Sequence, residues 1–297
     1  MKQKWLWLGV VIVALFFLLF VASVCVITSL LGEKKPFVVG GGVGLVEVKG
    51  LIIDPQDTVK QLHDFKKDEN VKAVVLRIDS PGGVVGPSQE IYDEVKKLAA
   101  QKKVVVSMGS IAASGGYYIA APATKILANP GTITGSIGVL MKFSNIEGLM
   151  GKVGLKAFTL KTGKYKDVGS PVRPMSAQEK AMLQNVIEST HGQFVRAVAE
   201  GRKLPLEEVK GLADGRIFSG EQALALKLVD RLGTLQDAIE EAGKMAGIKG
   251  EPQLIRPPKK KKLLLDMLVE ETTARIGSLA RQESGVSVNY ELGGAGQ

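Results

Sequence analysis

The chain has 297 residues and a formal net charge of +9, and 45% of its residues are apolar. This length holds one α/β domain with appendages, and the composition excludes low-complexity disorder. The positive charge does not indicate nucleic-acid binding, because the lysines cluster beside apolar segments and no basic groove interleaved with stacking aromatic residues is evident.

The first 32 residues predict a single transmembrane helix. No charged residue occurs between Trp5 and Gly32, and about 20 apolar residues are enough for a helix to cross a bilayer. The basic residues Lys2 and Lys4 predict a cytoplasmic N-terminus, with the rest of the chain on the extracytoplasmic side of the cell membrane. A signal peptide cleaved around residues 22–24 is the alternative.

Residues 33–44 are rich in glycine and predict a linker, after which strands and helices alternate up to about residue 250. This alternation predicts an α/β domain over residues 45–250, with a largely parallel sheet. The individual predictions are a strand over 45–48 that continues toward Leu51 and Ile52, a helix over 57–67, a strand over 73–79, a helix over 88–100 and a strand over 104–108.

Two capping boxes predict helices in the second half of the domain. Ser176 and Glu179 have the spacing of the first box, which predicts a helix that runs to Arg202. Ser219 and Gln222 have the same spacing and predict the start of a second helix.

Residues 251–297 form a basic C-terminal extension. Four lysines at 259–262 precede an apolar pattern over 263–280 that predicts an amphipathic helix. We expect this helix to dock on protein or to contact another copy of the chain, and membrane-surface binding is the alternative.

A serine lies where a buried strand leads toward a helix. Residues 104–108 form the predicted strand, small residues follow as a turn, and Ser114 stands at the helix start between Ala113 and Gly115. The small neighbours let a substrate backbone approach the hydroxyl, and the helix N-terminus favours developing negative charge. Ser114 is therefore a candidate nucleophile, although a serine before two glycines is more often only a helix cap.

A second glycine-rich turn follows the preceding strand. Gly82 and Gly83 come after Ser80 and Pro81, and without a Cβ they could direct backbone N–H groups at an oxyanion. A type II turn at Pro81 and Gly82 is the alternative. Because parallel strands end at one edge of a sheet, we expect the two turns to meet there.

A serine nucleophile needs a general base, and the only two histidines, His63 and His191, lie in helical contexts. Lysine can serve as the base when burial lowers its pKa toward about 7–8. Lys161, Lys164 and Lys166 follow a predicted strand, and the residue pattern leaves all three open. No metal or cofactor site is predicted, because the histidines are isolated and the single cysteine lies in the N-terminal apolar segment.

Five short motifs occur in one order along the domain. They are Ser80-Pro81-Gly82-Gly83, Ala112-Ala113-Ser114-Gly115-Gly116-Tyr117-Tyr118, Thr134-Gly135-Ser136-Ile137-Gly138-Val139, Gly163-Lys164-Tyr165-Lys166, and Gly215-Arg216-Ile217-Phe218-Ser219-Gly220 followed by Leu228-Val229-Asp230. With these motifs, residues 45–250 resemble the short, single-domain form of bacterial signal peptide peptidase A. The resemblance implies a Clp protease and crotonase type of fold with stacked ββα units, and assembly into a homo-oligomeric ring.

The same resemblance implies a role for each site residue. Lys166 would be the general base, and Ser136 would orient its amine. The backbone N–H of Gly115, together with that of Gly83 or Gly82, would stabilise the oxyanion.

The residues and the resemblance together predict a membrane-anchored serine endopeptidase that acts through an acyl-enzyme on Ser114. The resemblance implies that it degrades hydrophobic peptides, chiefly released signal peptides. Neither a metal nor a cofactor is expected. The alternatives are a related membrane protease with a regulatory role, a non-catalytic membrane scaffold, and a crotonase-type enzyme that acts on acyl-CoA, because similar turns can hold a thioester enolate.

Overall fold

The computed structural model describes residues 15–23, 41–258 and 289–291. Residues 15–23 form helix α1, and the chain from Gly40 onward forms a separate compact unit. Within the described ranges, no helix is long and apolar enough to cross a membrane. Most of the predicted transmembrane helix and linker, the four lysines at 259–262 and the predicted helix over 263–280 lie outside the described residues.

Strands and helices alternate through the second unit. Its first half contains β1 (Gly42–Lys49), α2 (Gln56–Lys67), β2 (Val71–Ser80), β3 (Gly82–Val84), α3 (Val85–Ala99), β4 (Lys103–Ala113), α4 (Gly115–Ala120), β5 (Lys125–Ala128) and β6 (Ile133–Gly135). Its second half contains α5 (Glu147–Lys152), α6 (Ala177–Arg202), α7 (Leu206–Leu212), β7 (Ile217–Ser219), α8 (Gly220–Ala225), β8 (Arg231–Leu232), α9 (Leu235–Met245), β9 (Leu254–Ile255) and β10 (Asn289–Glu291). The predicted α/β architecture is confirmed.

An eight-stranded sheet forms the centre of this unit. Its main path has the order β7-β6-β4-β2-β1-β9, and β5 joins β4 to β8. Every pair in the sheet is parallel except the pair of β6 with β7. Parallel strands are usually covered on both faces, which accounts for the almost continuous apolar run in β2.

Apolar layers cover both faces of the sheet. Neighbouring side chains in a strand point to opposite faces, and on β2 Val74 and Leu76 belong to the larger core while Ala73 and Val75 belong to the smaller one. Helices α2, α3, α4 and α6 contribute to the larger core, and α9 packs into the smaller one. The sheet is therefore held between two helical layers.

Both predicted capping boxes are present. Ser176 Oγ accepts a hydrogen bond from the Glu179 N–H at 3.3 Å, and the helix that begins there ends at Arg202 as predicted. Ser219 Oγ accepts from the Gln222 N–H at 3.1 Å at the start of α8.

Several strand boundaries differ from the predictions: β2 runs from Val71 to Ser80, and β4 begins at Lys103. β1 begins at Gly42, so it includes the last residues of the predicted linker. β4 does not end at Met108, because it changes partners: residues 105–107 pair with β5, and residues 111–113 pair with β6. The small residues assigned to a turn are therefore strand, and Ser114 alone connects β4 to α4.

Candidate active site

Ser114 occupies a strained turn between β4 and α4. Its backbone has φ 53° and ψ −118°, a conformation that residues other than glycine rarely adopt. The turn is held on both sides, because the Ser114 N–H donates to the Gly135 carbonyl and the Ser114 carbonyl accepts from the Tyr118 N–H, each at 2.8 Å. The hydroxyl is buried, and within the described part of the chain Oγ has no hydrogen-bond partner.

Glycines let the backbone of β3 approach the Ser114 turn. A Cβ on Gly115 would lie 2.7 Å from Ser88 Oγ and 3.2 Å from the Gly83 nitrogen, so a larger residue does not fit there. The Gly82 N–H is already bonded to Ser80 Oγ at 3.1 Å. Of the two upstream glycines, Gly83 is therefore the better placed to donate to a substrate beside Gly115.

Ser136 lies next to the carbonyl that holds Ser114. β6 runs parallel to the end of β4 with Gly135 opposite Ala113. Ser136 is buried with a positive φ of 51°, and its N–H donates to the Arg216 carbonyl at 2.8 Å. The structure thus brings Ser136, the glycine turns and Ser114 to the same end of the parallel strands.

Lys166 is not brought to Ser114 within one chain. It is exposed, in a turn between α5 and α6, and it lines an open cavity of about 500 Å³ together with Leu160 and Asp167. Since Ser114 Oγ has no hydrogen-bond partner among the described residues, the predicted dyad is open in this conformation.

The other two candidate lysines have carboxylate or amide partners. Lys161 Nζ binds the carboxylate of Asp167, and Lys164 Nζ binds the side-chain oxygen of Gln178. The first contact lies within the turn region that precedes α6, and the second reaches the first turn of α6.

An apolar arm precedes the Lys166 turn. We define it as residues 149–160, and the exposed side chains within it are Leu149, Val153, Leu155, Phe158 and Leu160, with 60–92% of their surface accessible. Adjoining exposed apolar side chains of this size are typical of a surface that contacts another apolar surface.

The two histidines lie on helices, as predicted. His63 on α2 has Nδ1 3.4 Å from Glu94 Oε1. His191 on α6 lines a cavity of about 370 Å³ that also contains Ser136, and its Nε2 is buried without a partner in the described ranges. No group of three potential metal ligands occurs among the described residues.

A short strand from the C-terminal extension pairs with β3. β10 runs antiparallel to β3, with Glu291 opposite Gly82 and Tyr290 opposite Gly83. Addition of an extended segment to a free strand edge is a general mode of peptide recognition. The segment here lies along the strand that approaches the Ser114 turn.

Sequence reasoning assigned no site role to Ser80 or Arg173. Ser80 is fully buried, and its Oγ accepts a hydrogen bond from the Gly82 N–H. Its position directly before Pro81 and Gly82 in the sequence could have indicated this role. Arg173 binds Asp167, the residue after Lys166. An acidic residue beside a candidate base indicates a nearby cation, but the sequence does not show which cation it contacts.

Comparisons with known proteins identify a family and relatives for this chain. The family model described as peptidase family S49 matches residues 96–249, and the Clp protease model matches residues 54–132. A Synechocystis sp. protein with a provisional protease name is 47% identical over 221 residues, which cover 73% of this chain and 80% of that protein.

Two further relatives are longer than the segment they share with this chain. Protease 4 of Salmonella typhi is 37% identical over 226 residues, covering 73% of this chain and 36% of that protein. An Enterococcus faecium protein provisionally named signal peptide peptidase SppA is 40% identical over 190 residues, covering 64% of this chain and 55% of that protein.

Proposed function

Because this chain belongs to peptidase family S49, the signal peptide peptidase A family, it is a serine-type peptidase with a Clp protease-like α/β fold, and we propose that Ser114 is its nucleophile and Lys166 its general base. The observation that carries the proposal is the Ser114 turn. It holds a buried hydroxyl that has no partner in the described ranges, on a strained backbone, beside two closely approaching glycines.

The proposed reaction proceeds through an acyl-enzyme. Ser114 Oγ attacks the scissile carbonyl and gives its proton to the neutral amine of Lys166, while the N–H groups of Gly83 and Gly115 stabilise the oxyanion. The Lys166 ammonium then protonates the leaving amine. In the second half, Lys166 takes a proton from water as the resulting hydroxide attacks the ester. The Lys166 ammonium then returns this proton to Ser114 Oγ, and the acid product leaves. Ser136 orients the lysine amine.

The pairing of β10 with β3 supports an extended peptide as the substrate. The three residues of β10 lie antiparallel to Gly82–Val84, so backbone pairing alone is enough to align a chain along this edge. A peptide in the same place would run past the Ser114 turn. Recognition through the backbone would suit a degradative endopeptidase that accepts varied apolar sequences.

We place Lys166 of one copy beside Ser114 of another in an oligomeric ring. Two observations support this arrangement: Ser114 Oγ has no partner in the described part of one chain, and the apolar arm next to Lys166 is exposed. Packing of the arm against a second copy would remove apolar surface from water. It would also bring the lysine amine into a drier site beside the nucleophile, within reach of its proton.

The proposed substrates are hydrophobic peptides such as released signal peptides. The uncharged segment from Trp5 to Gly32 would anchor the enzyme in the cell membrane, with its N-terminus cytoplasmic and its catalytic domain on the extracytoplasmic side. This location would bring the site to peptides in the same membrane. A regulatory membrane protease would share the chemistry and differ in its substrates.

Hydrolysis of fluorogenic apolar peptides by the full chain in detergent tests the chemistry. We expect Ser114→Ala and Lys166→Ala each to lower kcat by at least about 1,000-fold, because the nucleophile and its base act as one unit. Lys164→Ala is the matched control and should retain activity. Full activity in Lys166→Ala would reject the assigned base, and an inert parent across varied peptides would favour a scaffold.

Mixing the two inactive variants tests whether the site is shared between copies. If Lys166 of one copy serves Ser114 of the next, co-assembled Ser114→Ala and Lys166→Ala chains form some sites that contain both native residues. We expect activity to return to a substantial fraction of the parent value. Absence of recovery in rings that are shown to be mixed would place both residues in the same chain.

A further inference from the structure

One arginine connects the Lys166 turn to the start of α6. Arg173 Nε and Nη2 each donate to the Asp167 carboxylate at 2.9 Å. Arg173 Nη1 and Nη2 donate to the Glu179 carboxylate at 3.0 and 2.5 Å. A planar guanidinium suits such paired contacts, and we refer to these three residues as the arginine clamp.

One end of the clamp lies beside the proposed base. Asp167 directly follows Lys166, and its carboxylate also accepts from Lys161 Nζ. The Asp167 carbonyl accepts a further hydrogen bond from Arg173 Nη2 at 3.2 Å. The clamp therefore holds both the side chain and the backbone of the residue next to Lys166.

The other end of the clamp is the capped start of α6. Glu179 is only 3% exposed, and its carboxylate also accepts from the Ser176 N–H at 2.8 Å as part of the capping box of α6. Farther along α6, Phe194 and Val198 are fully buried in the larger core. The clamp thus connects an exposed turn to the first turn of a helix whose later residues pack into the larger core.

The clamp keeps its charges over the working pH range. Hydrogen bonds from Arg173, followed by the backbone of Ser176, lower the pKa of Glu179 to about 2. Arg173, and then Lys161, hold the pKa of Asp167 well below its usual range. Both carboxylates therefore remain ionised, and the guanidinium keeps two anionic partners.

We propose that the arginine clamp positions Lys166 for proton transfer, with Arg173 as the central positioning residue. The inference rests on the proposed role of Lys166. A lysine amine on a flexible stem must come within hydrogen-bond distance of the nucleophile, and a displacement of about 1 Å can lower a rate about 100-fold. Because the side chains of the neighbouring apolar arm are exposed, contacts of the arm within the chain do not replace the clamp.

Arg173→Lys tests this inference, because it keeps the charge and removes the paired geometry. We expect kcat to fall by about 10- to 100-fold, with KM within about two-fold of the parent because peptide pairing with β3 is untouched. The matched control is Arg231→Lys. Arg231 also bridges two carboxylates, those of Asp237 and Glu241 at 3.2 and 3.5 Å, and its substitution should leave kcat unchanged.

The split between kcat and KM separates positioning from a general loss of stability. Loss of folded protein would lower the measured rate in proportion to the folded fraction, whereas a misplaced base lowers kcat of the folded enzyme while KM is retained. Ring size and melting temperature, measured in parallel, should stay close to the parent values.

Three outcomes would overturn the inference. The first is a parent-like kcat in Arg173→Lys while Ser114→Ala and Lys166→Ala are inactive, which would leave the proposed function intact. The second is a loss of activity that matches the loss of folded protein. The third is an inert parent, which would remove the proposed function as well.

Discussion

Ser114 adopts a backbone conformation that is disfavoured for any residue with a Cβ. Such strain costs about 1–3 kcal/mol and persists only where the surrounding structure enforces it. Here the enforcing contacts are the hydrogen bonds to Gly135 and Tyr118 on either side of the turn. A strained strand-to-helix turn is the backbone geometry on which a serine nucleophile is carried in other hydrolases.

Two substitutions of Ser114 should distinguish the free-energy cost of backbone strain from that of the buried hydroxyl. Ser114→Ala removes a buried hydroxyl that has no partner in the described ranges, and Ser114→Gly also relieves the strain. Both variants should be inactive. We expect Ser114→Gly to exceed Ser114→Ala in free energy of unfolding by about 1 kcal/mol, because strain relief outweighs the greater flexibility of glycine in the unfolded chain.

Chemical denaturation of the two inactive variants measures this difference. Ser189→Ala against Ser189→Gly, at an exposed position inside α6, provides the control, where glycine should be less stable than alanine by about 1 kcal/mol. Equal stability of the two Ser114 variants would show that the turn is not strained.

Individual site residues were predictable where their chemistry coincides with a local backbone pattern. Ser114 follows β4, Gly82 and Gly83 belong to β3 shortly after β2, and the parallel pairing of β2, β4 and β6 brings these positions together. Neither Ser80 nor Arg173 has such a pattern. Their roles depend on contacts that only the folded chain creates, and a single sequence does not specify which polar groups will meet.

Helices α2 and α3 are connected by a buried carboxylate. Glu94 on α3 binds Lys66 of α2, and His63 of α2 and Lys97 also lie within reach. Burial raises the pKa of Glu94, but Lys66, His63 and Lys97 together outweigh burial and hold the pKa below its ordinary value. Glu94 therefore binds fewer protons in the folded chain than in the unfolded one.

The stability contributed by Glu94 should be lost in acid. It is fully present above the unfolded pKa of about 4.3 and declines as the pH falls through the lower folded value. We expect Glu94→Gln to lower the free energy of unfolding by about 1–3 kcal/mol at pH 7, since Lys66 loses a buried partner. This difference should shrink below about pH 4.

Urea denaturation from pH 3 to 7 measures the difference between the parent and Glu94→Gln. Glu90→Gln, on the exposed side of the same helix, is the control and should change stability little at any pH. A Glu94→Gln effect that is independent of pH would contradict the ionic origin of the contribution.

Most elements were predictable because periodicity and capping are local properties. α6 matches its capping box and its predicted end at Arg202. The predicted end of β4 was wrong. Small residues after a strand favour a turn only when no partner strand is present, and β6, from 20 residues farther along the chain, provides that partner. Pairing between distant segments is not encoded in either segment alone.

For the molecule as a whole, the free edge of β3 is occupied by its own chain. β10 pairs there with Gly82–Val84, along the edge where a peptide substrate is proposed to lie. The overall α/β class followed from alternating periodicity, but this contact with the C-terminal extension did not, because three residues carry too little pattern to predict a strand.

Removal of β10 should open this edge. For a chain that ends at residue 288, we expect KM for apolar peptides to fall several-fold with kcat unchanged, because the substrate no longer competes with an internal strand. Steady-state kinetics on the parent and the truncated chain measure the change, with ring size as the control. An unchanged KM would mean that β10 does not compete with the substrate.

Because β10 is tethered to its own binding site, it competes with the substrate at a fixed effective concentration. A segment linked to its own site acts as if present at up to millimolar concentration, whereas a free peptide competes at its actual concentration. The apparent affinity for substrate falls by the fraction of time that the site is open. The pairing of β10 with β3 would therefore keep the rate of cleavage low when extended peptides are sparse. The rate would rise once peptides accumulate to a high local concentration.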